Sequence, residues 1–168
     1  MAPRRSLADR RDADPSTVIA ALLDHGVEFV VVGGVAAIAH GVQRITRDID
    51  FVLRPGKRNS RRAIAALAEL GAEELRPRSK RWVRVSPRAD PGWLLKEPRF
   101  FDTQAGAIDI RTSVPGVSGW KQALEGSIEV DAFDRRFRVL DKDTLIRSKL
   151  AAGREKDRAD VAELAELG

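Results

Sequence analysis

Residues 30–53 read VVVGGVAAIAHGVQRITRDIDFVL, and this stretch constrains the chain more than any other. A β-branched apolar run stops at Gly33-Gly34, and a second apolar run opens on Asp48-Ile49-Asp50. A continuous apolar run of this kind reads as a strand buried on both faces. Residues i and i+2 of a strand point to one side, so Asp48 and Asp50 aim together while Ile49 aims the other way. Adjacent carboxylates repel, and each resists ionisation unless a positive charge compensates. A divalent cation is the natural compensation. Carboxylate oxygens completed by water and phosphate oxygens suit Mg²⁺, or Mn²⁺ in its place.

Asp109 extends the pattern, standing between Ile108 and Ile110 on another expected strand. If that strand lies beside DIDFVL, three carboxylates share a face. They could then hold one or two metal ions and orient a nucleoside triphosphate for in-line displacement. The third carboxylate could also take the proton of an attacking hydroxyl. Gly33 and Gly34, between a strand and a helix, let backbone N–H groups approach a phosphate closely. Arg44, Thr46 and Arg47 could add donors. Each part is ordinary alone: a turn, a solvated strand end, an aspartate paired with Arg111. The combination is much less common.

Elsewhere, Ser16 is a candidate N-cap for the helix TVIAALLDHG, closed by Gly26. VAAIAHG reads as a short helix. KRNSRRAIAALAELG is amphipathic, with Ile64, Leu67 and Leu70 on one face. RWVRVS alternates like a half-buried strand, but most of residues 72–102 reads as loop. GWKQALEG suggests a short helix, SIEVDAF and RRFRVLD a strand pair, and KDTLIRSKLAAG and EKDRADVAELAELG two helices divided by Gly153. The order does not alternate strictly as strand–helix–strand. That predicts α+β, with a mixed sheet flanked by helices and a C-terminal helical segment. The expected organisation is a flexible basic leader over 1–15, an α+β domain over 16–140, and helices packed on that domain over 141–168.

Composition excludes several chemistries. The chain has 168 residues, of which 43% are hydrophobic and 33% charged, enough for one core and against overall disorder. There is no cysteine, hence no disulfide, thiol catalysis or cysteine–zinc site. The histidines His25 and His40 lack a partner at ligand spacing. The N-terminal residues show no secretory h-region and no apolar run is long enough for a bilayer, so a cytoplasmic location without membrane contact is expected. The net charge of +5 favours polyanionic partners such as nucleotides or RNA.

The string GG…HG…R-x-T-x-D-I-D resembles the signature of the polymerase-beta-like nucleotidyltransferase superfamily. It is closest to small prokaryotic AbiEii-type proteins and the minimal nucleotidyltransferases of toxin–antitoxin pairs. LIRSKLAAGREKDRADVAEL resembles their helical lysine followed by a Lys-Asp-x-x-Asp element, here Lys149, then Lys156, Asp157 and Asp160. The resemblance covers residues 16–54 and 104–167. It implies that Gly33 and Gly34 contact a triphosphate, Asp48 and Asp50 bind Mg²⁺, Asp109 is the third carboxylate and base, and Lys149 neutralises phosphate. The implied reaction moves a nucleoside monophosphate from an NTP to a hydroxyl of RNA, such as a tRNA 3′ end, or of protein. A cognate antitoxin or toxin would be the partner. A non-catalytic nucleotide- or RNA-binding module, or an interaction subunit on the same fold, is the alternative.

Overall fold

The structure is a computed structural model and describes residues 4–168. Its frame is one eight-stranded mixed sheet in the order β4-β3-β5-β6-β2-β1-β8-β7. The strands are β1 (Phe29–Val32), β2 (Asp48–Leu53), β3 (Glu73–Leu75), β4 (Trp82–Arg84), β5 (Arg99–Thr103), β6 (Gly106–Arg111), β7 (Ser127–Ala132) and β8 (Arg135–Leu140). The helices are α1 (Pro15–Asp24), α2 (Gly33–Ala39), α3 (Lys57–Glu69), α4 (Trp120–Glu125), α5 (Lys142–Ala152) and α6 (Glu155–Glu166). The α+β expectation, with a mixed sheet and C-terminal helices, is borne out.

β1 is an interior strand with every one of its four residues buried. It runs antiparallel to β2 and parallel to β8. β2 in turn runs parallel to β6, with Asp50 opposite Asp109. Ile49, Phe51, Ile108 and Ile110 are fully or almost fully buried. Phe51 meets Phe29 with ring centroids 5.9 Å apart. Burying a side chain of this size contributes about 1.5–3 kcal/mol, so the alternation that hides these residues also fixes which way the aspartates face.

α1 buries Val18, Ile19 and Leu22, a one-face spacing. Its N-cap is Asp14, not Ser16. The Asp14 carboxylate accepts from the Thr17 N–H, and Pro15 takes the first helical turn, where a missing N–H costs nothing. α3 carries the buried Asn59, whose amide bonds the backbone of Glu28 and Arg54 and ties the helix to the β1–β2 pair.

Two strands, β3 and β5, lie in the stretch expected to be mainly loop. Their sequences, EEL and RFFDT, hide them, because charged residues interrupt the apolar pattern. Those charges are internal. Glu74 and Arg99 are 1% and 5% exposed and pair at 2.9 Å, with Arg99 also stacked over Trp93. A buried pair satisfies each ion through the other, but no single segment shows it. Leu94 and Val85 complete the local core.

Residues 4–14, expected as a flexible leader, form a strap against the sheet. The Ala13 N–H donates to the Arg47 carbonyl, the Asp14 N–H to Ala105, and the Ala107 N–H to Arg11. The Arg5 carbonyl accepts from the Trp82 indole. The strap passes so close to Gly106, at φ +94°, that a Cβ there would stand 2.2 Å from the Asp12 carbonyl oxygen. Only glycine fits that position without displacing one of the two segments.

Candidate active site

The register of β2 and β6 brings the three sequence-predicted acids together. One carboxylate oxygen each from Asp48, Asp50 and Asp109 lie within 4.8 Å of one another. Asp109 is 2% exposed, while Asp48 and Asp50 are half-buried at the wall of a cavity of about 360 Å³. The donor set is all carboxylate oxygen, which suits a hard divalent cation and not zinc or copper. These residues therefore fit a metal of the Mg²⁺ class.

The cavity is also bounded by Gly33, Gly34, Arg44, Thr46, Lys149 and Arg154. Gly33 opens α2 at φ +67°, where a Cβ would come 3.0 Å from Asp50 Oδ2; at Gly34 a Cβ would come 2.9 Å from Thr46 Oγ1. A side chain at either position would crowd the acids or the wall beside them. The Thr46 hydroxyl donates to the Asp48 carbonyl at 3.1 Å and so fixes the entry to β2.

Two arginines neutralise the acids. Arg111 stands two residues after Asp109 on β6, hence on the same face. Its Nε donates to Asp50 at 3.0 Å and its Nη2 to Asp109 at 3.3 Å. Arg10 reaches in from the strap. Its Nη1 donates to Asp109 Oδ1 at 2.5 Å and to the Phe101 carbonyl at 3.2 Å, and Nη2 lies 3.6 Å from Asp48.

Burial pushes the Asp109 carboxyl up to about 7, with the charge of Asp50 adding to the rise and Arg10 opposing it. Asp50 is raised too, first by burial and then by Asp48. A folded-state value above the ordinary 3.8 means the folded chain holds an extra proton between about pH 4 and pH 7. Stability is therefore lost as pH rises through that window. In metal-free buffer the protein is expected to unfold more easily at pH 8 than at pH 5, by no more than roughly 3 kcal/mol. Asp109→Asn should flatten that slope. Urea melts at both pH values check it, and an equal slope in both proteins would contradict the assignment.

Lys149 lies on the cavity wall, inside an ion-pair cluster. Its Nζ is 2.6 Å from Asp160 Oδ2 and 3.6 Å from Asp157 Oδ1. Arg44 Nη1 meets the same Asp160 oxygen at 2.5 Å, and Arg154 binds Asp157 at 2.7 Å. Lys149, Asp157 and Asp160 are all buried, so the α5–α6 pair is organised around them. Of the residues expected at the nucleotide, Arg47 falls outside the cavity. It bonds Asp12 and the Ala8 carbonyl instead, holding the strap. It stands just before β2 begins, outside the strand's alternation.

The sequence alone missed Arg10 and Arg154. Arg154 had a readable signal, three residues before Asp157 at the start of α6, where it sits in a capping box. Arg10 had none, since only the docking of the strap brings it to Asp109.

A mixed sheet with a glycine-opened helix and an Asp-x-Asp strand paired to a third aspartate defines the nucleotidyltransferase fold class. The structure resembles the lincomycin-bound crystal structure of the lincosamide antibiotic adenylyltransferase LnuA. The TM-score is 0.62 and the identity 16%, covering 94% of this chain and 100% of that one. It also resembles an antigenic nucleotidyltransferase-like protein from Paracoccidioides brasiliensis, with TM-score 0.54 and 12% identity, over 94% of this chain and 77% of that one. No curated protein sequence matches. Residues 19–165 match the family described as "Nucleotidyl transferase AbiEii toxin, Type IV TA system", and the chain belongs to that family. It is thus a nucleotidyltransferase of a toxin family.

Proposed function

We propose that this protein is a Mg²⁺-dependent nucleotidyltransferase that moves a nucleoside monophosphate from an NTP to a hydroxyl of RNA, such as a tRNA 3′ end, or of protein, with the net charge of +5 favouring RNA. The observation that carries the reading is the convergence of three carboxylates, within 4.8 Å of one another, beside a cavity also lined by Arg44, Lys149, Arg154 and Lys156. Asp48 and Asp50 would hold the ion, with Asp109 next to them as the third acid. Bound there, Mg²⁺ would supply Lewis-acid polarisation of phosphoryl oxygens.

The chain's own groups do the rest. Gly33, Gly34 and Thr46 leave room on one wall for the triphosphate. Arg44, Lys149, Arg154 and Lys156 give the lining its positive charge. Asp109, with its carboxyl raised to about 7 by burial, stands behind the cavity-lining Asp48 and Asp50 and can take up near neutral pH the acceptor proton that those carboxylates pass on. The bond from the acceptor oxygen to the α-phosphorus forms as the bond to pyrophosphate breaks. The proton passes by way of those carboxylates to Asp109, and pyrophosphate leaves with its charge balanced by the basic lining.

Membership in a type IV toxin family supports an antitoxin as the cognate partner. No helix among the described residues is long and apolar enough to cross a membrane. Calorimetric titration with a non-hydrolysable NTP tests the site. Binding should depend on Mg²⁺ in the wild type and lose that dependence in Asp48→Ala. Unchanged Mg²⁺ dependence in the variant would rule out the metal site.

A further inference from the structure

Arg10 is the least expected group at the acids, and nothing in the transfer reaction described above uses it. Its side chain is 8% exposed, and a guanidinium at this depth remains protonated. It is held from three directions: Asp109 at 2.5 Å, the Phe101 carbonyl at 3.2 Å, and Asp48 at 3.6 Å. The strap that carries it is anchored on both sides, by Arg11 to Asp102 and Thr103, and by Asp12 and Ala8 to Arg47. Gly106 has no side chain where the strap crosses it. The guanidinium is thus a built part of the acidic cluster.

Its position has a chemical meaning. Two-metal sites place one ion toward the leaving group and a second toward the attacking oxygen. Here the cavity lies on the Asp48–Asp50 side, and neither Asp109 nor Arg10 lines it. Arg10 bridges Asp109 and Asp48 at the buried side, where a second ion shared by those carboxylates would be held. The charges agree. The three carboxylates face Arg10 and Arg111, leaving the cluster with one negative charge in excess when all three are ionised. One divalent ion reverses that sign, and a second would then enter against repulsion.

We propose that Arg10 is a fixed cation standing in for the second metal ion, so that this site works with a single divalent ion between Asp48 and Asp50. The proposal rests on the metal reading given above. Arg10 is a positioning residue: it holds Asp109 and Asp48 in place and removes the need for an ion between them.

The test counts ions in the full chain. Mn²⁺ is titrated into the protein alone and free Mn²⁺ is followed by electron paramagnetic resonance, with thermal melts confirming that each variant is folded. The wild type should bind about one ion, Arg10→Ala about two, and Arg10→Lys about one again, because the lysine restores the charge. A purely structural role for Arg10 would leave the count unchanged in every folded variant. Two ions in the wild type, or the wild-type count in Arg10→Ala, would overturn the proposal and leave the metal site standing. No bound ion in the wild type would instead overturn the metal reading, and this proposal with it.

Discussion

Asp50→Ala is expected to lower nucleotidyl transfer at least ~10³-fold while leaving the fold intact. Asp50 is the middle acid, opposite Asp109 in the sheet and bonded to Arg111 at 3.0 Å. Its carboxyl is raised by burial and by Asp48, so its charge is tolerated only beside a cation. Removing it takes away one of the two carboxylates that would hold the ion. The loss of several kcal/mol of charge stabilisation at the phosphoryl group, at about 1.36 kcal/mol per tenfold, gives that factor. Removing a repelling charge from a crowded pair should not destabilise the chain. The circular-dichroism melt of Asp50→Ala should therefore match or exceed that of the wild type while the rate collapses. A variant that retains more than a tenth of the rate would contradict the role.

Lys149→Met should do the reverse and act first on stability. The Nζ of Lys149 is enclosed by Asp160 at 2.6 Å and Asp157 at 3.6 Å, and both carboxylates are buried. Methionine nearly preserves the volume but leaves two buried acids short of a cation. Breaking a buried pair from one side costs about 3–5 kcal/mol. Arg44 and Arg154 still reach these acids, which places the expected loss near the lower bound, about 3 kcal/mol. For a chain of this size that is a fall of roughly 6–12 °C in Tm. Partial recovery in Lys149→Met/Asp160→Asn would show that the uncompensated acid is the cause. A Lys149→Met protein as stable as the wild type would mean the cluster is not what holds α5 to α6.

The sequence carried the acids well, and the reason is physical. A strand with apolar residues at alternate positions leaves little choice of register. Asp48 and Asp50 could thus be assigned to one face before their neighbours were known, while Asp109 joined them only on the condition that its strand lies beside theirs, a pairing that β2 and β6 make. Lys149 and the Asp157–Asp160 pair were legible only through the resemblance to the family's helical lysine and Lys-Asp-x-x-Asp element, and burial of the cluster depends on how α5 and α6 meet. Three features were not legible. β3 and β5 are masked by a Glu74–Arg99 pair that reads as two surface charges until the strands are side by side. Arg47 sits just before β2 begins, outside the strand's alternation, and it turns to the strap. Arg10 belongs to a charge-rich segment, DRRD, whose composition suggests solvent. Its place at Asp109 depends on backbone hydrogen bonds to residues about ninety positions away. Such long-range pairings leave no local pattern.

The central claim is nucleotidyl transfer to an RNA hydroxyl, and label transfer tests it most directly. The purified protein is incubated with each α-labelled NTP, Mg²⁺ and total tRNA, beside an Asp48→Ala/Asp50→Ala control. Label on tRNA with the wild type alone, with one nucleotide preferred, is the predicted result. NTP bound but no label on tRNA or any other acceptor in the tube would contradict it, and would move this chain from enzyme to nucleotide-binding module.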